Sequence, residues 1–247
     1  MRNSLLFELC ADSLEAAVIA QAAGADRMEL CQELAIGGVT PSDSLLAATL
    51  RAVSIPVYVL IRPRGGDFVY TSAEFEQMRG QIEHAKGAGA AGVAIGVLLP
   101  DGRVDVERTQ ELVELARPLH VTFHRAFDET RDLDEALEDV ILTGADCLLT
   151  SGGAANVLEG AEQIGRLNRL AGDRLEVMAG GGLRLANLPE VVRRSRVTCL
   201  HGSLSRARNN GANGSGGTAA VGQKTVYEED VREAIRLLQQ ECLEPAS

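Results

Sequence analysis

Residues 5–31, LLFELCADSLEAAVIAQAAGADRMELC, contain a strand, a helix and a second strand in one continuous run. Side chains of a strand alternate between faces, so Leu5, Phe7 and Leu9 form an apolar face and Leu6, Glu8 and Cys10 its opposite. Ser13 or Asp12 is placed to cap a helix over Leu14–Ala23, and Gly24 to end it before Ala25 and Asp26 lead onward. In Arg27–Cys31, Met28 and Leu30 make the apolar face, which leaves Glu29 and Cys31 on the other side.

The same strand–helix phrase recurs about eight times, at intervals of roughly 20 to 35 residues. Further strands are expected at Val57–Pro63, Gly92–Leu98, His120–Phe127, Cys147–Ser151, Glu176–Gly180 and Thr198–Ser203. The joint "helix, glycine, strand" returns at Gly87 and Gly89 and at Leu142–Asp146, which favours short loops in a parallel architecture. The 247 residues match the roughly 250 of a (β/α)8 TIM barrel, so one such domain over 1–247 is expected. An open doubly wound sheet is the alternative, because strand order is not written in a sequence.

Composition narrows the setting. Apolar residues make up 45% of the chain and Trp is absent, which predicts a core of aliphatic side chains and Ala. A formal charge of -11 disfavours nucleic acid and anionic membrane as partners. No apolar run approaches the roughly 18 residues of a spanning helix, and MRNSLLFELCADS lacks the divisions of a signal peptide. The cysteines at 10, 31, 147, 199 and 242 are odd in number and scattered, so free thiols in a cytoplasmic setting are expected. Homo-oligomerisation is left open. Arg206–Lys224, rich in Gly and Asn, is expected to be a flexible loop leaving the C-terminal rim, and Tyr227–Leu243 a closing helix.

In a barrel the face turned from the helices points inward. Alternation sends Arg62 and Arg64 inward near the end of the third strand, Thr122, His124 and Asp128 in the fifth, and Cys199, His201 and Ser203 in the eighth. Glu8, Glu29, His124, Asp128 and His201 thus become candidates for acid/base catalysis, and Arg62 and Arg64 for holding an anion. Arg125 is assigned to the other face. Glycine-rich turns at Ser151-Gly152-Gly153, Gly180-Gly181-Gly182 and Gly202-Ser203 offer backbone N–H groups to the same anion. Two blander readings compete: an ion-pair lattice that only closes the barrel mouth, and glycines that only permit tight turns.

Six phrases, GADRMELC (24–31), GGVTPS (37–42), RPRGGDFVY (62–70), TFHRAFD (122–128), LTSGG (149–153) and MAGGG (178–182), resemble the CutC family. The resemblance runs from about Leu6 to His201. It implies a (β/α)8 barrel, a cytoplasmic location, a part in copper homeostasis, and Cu(I) ligands at Cys10 and Cys31. Thiolates are soft ligands suited to Cu(I), and adjacent strands lie about 4.8 Å apart, so a two-thiolate site is geometrically allowed.

Three functions follow as expectations: Cu(I) binding at the barrel mouth, an enzyme acting on a small anion by acid/base chemistry, or a noncatalytic scaffold. The only lysines are Lys86 and Lys224, neither on an expected strand, so Schiff-base chemistry is disfavoured. No serine lies in a G-x-S-x-G elbow, and no organic cofactor is expected.

Overall fold

A computed structural model describes residues 5–207 and 224–243. Its strands are β1 (Leu6–Ala11), β2 (Arg27–Leu30), β3 (Val57–Leu60), β4 (Gly92–Ile95), β5 (His120–Phe123), β6 (Cys147–Thr150), β7 (Glu176–Ala179) and β8 (Cys199–Gly202). All pair in parallel with their sequence neighbours, and β8 closes on β1, giving a (β/α)8 barrel rather than an open sheet. Helices α1 (Leu14–Ala23), α2 (Asp43–Ala52), α3 (Ser72–Ala88), α4 (Val106–Ala116), α5 (Leu133–Thr143), α6 (Ala161–Ala171), α7 (Leu188–Ser195) and α8 (Glu228–Leu243) alternate with the strands. None of the described helices is long and apolar enough to cross a membrane.

Local chemistry explains the boundaries. The Ser13 hydroxyl accepts a hydrogen bond from the Ala16 N–H at 3.2 Å, which starts α1. Gly24 ends it in the left-handed region at φ 89°, where a side chain would be strained. Thr71 and Glu74 form a reciprocal capping box at the start of α3.

Several expected strands overrun the observed ones at their C-terminal ends. β3 stops at Leu60 rather than Pro63, and β5 at Phe123, where a 3-10 turn over Arg125–Glu129 takes over. The alternation rule therefore fails where the mouth loops begin. The expected loop Arg206–Lys224 is also corrected at its ends, since β9 (Arg206–Ala207) and β10 (Lys224–Thr225) pair antiparallel. The expected flexibility falls on residues 208–223, which lie outside the described residues.

The main core lies between barrel and helices, where Phe7, Leu9, Met28, Leu30, Phe123 and Leu148 have no solvent exposure. Two smaller clusters fill the interior: Cys10, Cys31, Leu60 and Ala94 in one, Cys147, Leu149, Met178 and Cys199 in the other. Gly92 decides how this interior packs. A Cβ there would lie 2.4 Å from the Tyr58 ring and 2.7 Å from the His120 carbonyl oxygen. Gly92→Ala should therefore lower unfolding free energy by about 1–3 kcal/mol through overpacking. Urea denaturation measures this, and an unchanged midpoint would contradict the packing account.

Candidate functional site

Glu8 sits between registered neighbours on both sides, Arg27 on β2 and His201 on β8. Both reach it. Arg27 Nε donates to Glu8 Oε2, and His201 Nδ1 lies 2.8 Å from Glu8 Oε1. Glu8, Arg27 and His201 are all buried. Burial alone would raise the Glu8 carboxyl, but the hydrogen bond to His201 and the charge of Arg27 outweigh it and hold the group below its ordinary range. Burial likewise opposes a charged His201, yet the Glu8 hydrogen bond and the charges of Glu29 and Glu8 raise it.

Arg27 was not among the sequence candidates, although it shares the inward face of Glu29 and alternation could have found it. Its guanidinium lies 4.5 Å from the centroid of the Tyr58 ring and donates from Nη2 to Met178 Sδ and Cys199 Sγ at 3.5 and 3.6 Å. Burial opposes its charge, and the Glu8 carboxylate more than compensates.

One step nearer the mouth, Cys10 Sγ lies 3.9 Å from Cys31 Sγ and 3.6 Å from Glu29 Oε1. Cys10, Glu29 and His201 also place one donor atom each within 4.8 Å of one another, a three-ligand arrangement that the sequence reading had divided between metal and catalytic roles. The hydrogen bond with Cys31, then burial and the Glu29 charge, push the Cys10 thiol well above its ordinary range. Burial raises Glu29, only partly countered by the charge of His201.

Cys10, Glu29 and His201 line a cavity of about 1040 Å³ at the C-terminal mouth, with Cys31 behind Cys10. Arg62, Phe68 and His124 line it as well, together with Gly181, Gly182, Gly202 and Ser203. His124 Nδ1 accepts from the Ala126 N–H at 3.1 Å, and its Nε2 has no partner among the described residues. Burial and the nearby Arg62 charge push its pKa down to about 3, so the ring is neutral.

Other candidates are placed elsewhere. Arg64 is not in the cavity: with β3 ended, it turns outward to Glu74 at 2.6 Å and Asp67 at 3.0 Å and braces the loop before α3. Asp128 reaches the cavity edge, but its oxygens accept from the Ser151 and Gly153 N–H groups, the Thr150 and Ser151 hydroxyls and Arg125 Nε. That saturation makes it a brace for the loop after β6. Ser151 is spent in the same network, and a Cβ at Gly152 would meet the Gly160 carbonyl oxygen at 2.6 Å, so both are packed within the loop. Arg125, assigned away from the interior by alternation, instead lines the cavity while bonding Asp128 and Ser151.

The model described as CutC family matches residues 5–206. The human copper homeostasis protein cutC homolog is 44% identical over 220 residues, covering 89% of this chain and 81% of the human protein. A family protein CutC from Chromobacterium violaceum is 46% identical over 198 residues, 80% of each chain. The crystal structure of CutC from Streptococcus agalactiae superposes with a TM-score of 0.76 at 30% identity, covering 81% of this chain and 98% of that one.

Removing one member of a buried ion pair strands the other, so Arg27→Met should destabilise the fold by roughly 3–5 kcal/mol. Adding Glu8→Gln to that variant should recover a large part. Equilibrium unfolding of the single and double variants measures the coupling, and a loss below about 1 kcal/mol for Arg27→Met would show the pair is not holding Glu8.

Proposed function

The chain belongs to the CutC family, and on that premise we propose that it binds Cu(I) at the barrel mouth through Cys10 and Cys31, in the cytoplasm, as part of copper homeostasis. The observation that carries this reading is the 3.9 Å separation of two buried sulfur atoms, Cys10 on β1 and Cys31 directly after β2. Metal–thiolate bonds of about 2.3 Å, the zinc value, span at most about 4.6 Å sulfur to sulfur, so one ion fits between them. Two soft thiolates favour Cu(I) over hard divalent cations.

Glu29 and His201 would flank that ion, and Glu8 would hold His201 through Nδ1, the outer carboxylate–imidazole arrangement common around metals. The five cysteines are free, which suits a reducing compartment.

Competition titration against a Cu(I) chelator tests the assignment: Cys10→Ser and Cys31→Ser should each weaken binding strongly, because a two-thiolate site has no spare ligand. Unchanged affinity in the double variant would exclude these cysteines. A loss on His201→Gln with none on Cys31→Ser would point instead to a divalent ion on Cys10, Glu29 and His201. Affinity should also depend on pH. The Cys10 thiol, raised by Cys31 and by burial, must release its proton to bind the ion. Apparent affinity should therefore rise with pH, by about tenfold per pH unit for each thiol proton displaced. A flat profile between pH 6 and pH 8, a range of roughly 2 units, would oppose thiolate ligation.

A further inference from the structure

Arg62 presents an electrostatic problem that the metal site does not solve. The residue is only 6% exposed, and among the described residues no carboxylate pairs with it. Nη1 donates to the carbonyls of Ile36 and Gly38 at 3.2 and 2.9 Å, and Nη2 to that of Gly66 at 2.6 Å. Nε has no partner. Carbonyl dipoles orient a guanidinium but do not neutralise it, and a buried unpaired charge is costly. The Tyr70 phenol, which feels the Arg62 charge, is pushed up to about 12 by burial and so supplies no negative charge.

His124, only 5% exposed, lines the same cavity and shares the Phe68 ring with Arg62. With Nδ1 accepting from Ala126, the neutral ring carries its hydrogen on Nε2, and that donor is also unpartnered. Gly96 makes room for it: a Cβ there would lie 2.4 Å from the His124 ring. Phe68 packs against both groups, with its ring 4.7 Å from the Arg62 guanidinium carbon and 5.1 Å from the His124 ring. Two buried donors, one cationic and one neutral, are thus left without acceptors beside a cavity of about 1040 Å³.

We propose that this wall binds the carboxylate of a small organic acid, with Arg62 Nε–H and His124 Nε2–H donating to its oxygens and the rest of the molecule extending across the cavity toward Cys10, Glu29 and His201. A carboxylate fits better than a phosphate dianion: one buried positive charge balances one negative charge, and Phe68 and Leu60 give the surroundings an apolar character. The proposal is independent of copper binding, because neither Arg62 nor His124 belongs to the thiolate pair.

Isothermal titration of the full chain with acetate, succinate and inorganic phosphate, in a chloride background of fixed ionic strength, tests it. Saturable binding of a carboxylate is expected, weakened roughly tenfold or more by Arg62→Lys, which keeps the charge but removes Nε–H. His124→Asn, which retains an acceptor for the Ala126 N–H, should weaken it comparably and carries the test alone if Arg62→Lys does not fold. Arg169→Ala, an exposed site on α6, should change nothing. Absence of saturable carboxylate binding, equal loss in the Arg169 variant, or binding of phosphate alone would each overturn the proposal.

Discussion

The arrangement of the mouth depends on one buried ion pair, Glu8 with Arg27, formed between registered positions on adjacent strands. Its effects run in two directions. On one side Arg27 lies against the Tyr58 ring, and Tyr58 has room only because position 92 lacks a side chain. On the other side the second Glu8 oxygen holds His201 Nδ1 at 2.8 Å and so fixes the ring beside Cys10 and Glu29. Packing deep in the barrel thereby sets the orientation of a side chain at its mouth.

Such a pair contributes little net stability over well-packed apolar residues, because desolvation offsets the attraction. What it supplies is position. Glu8 is held ionised where burial alone would favour its neutral form. Glu29, with no partner comparable to Arg27, is instead shifted toward the neutral form by burial. Two glutamates on adjacent strands therefore differ in protonation tendency for a reason visible in their neighbours.

Much of this was legible in the sequence, and the places where it was not share a cause. Period-two alternation placed Glu8, Cys10, Glu29, Cys31 and His201 inside, since each lies within or directly after a strand. Arg64 and Arg125 were misplaced because β3 and β5 end before them, and alternation is not enforced beyond the last ladder hydrogen bond; Asp128 does reach the cavity edge, but its oxygens are taken up by the loop after β6. The glycine turns read alike as phosphate cradles, yet Gly152 packs against Gly160 while Gly181 and Gly182 border the cavity. Only tertiary packing separates those cases. Arg27 was missed for a different reason: a basic residue opening a strand resembles a solvated end, and its partner is 19 positions away in sequence.

The two walls of the cavity differ in chemistry, and that difference constrains what they could hold together. On or directly after β1, β2 and β8 stand Cys10 with Cys31 behind it, a buried acid and a histidine inclined to charge, whereas Arg62 and neutral His124 after β3 and β5 offer only donors. A Cu(I) ion on two thiolates would leave that unit with one net negative charge. His201, raised by its hydrogen bond to Glu8, lies on the same wall and could balance it. Arg62 would then remain uncompensated, since its described partners are neutral carbonyls. An anion beside Arg62 and a cation on the thiolates would therefore draw on different counter-charges, and at low dielectric each such pairing is worth more than in water. If both proposed ligands bind, the mouth of this barrel would hold two charges of opposite sign, each with its own compensating group.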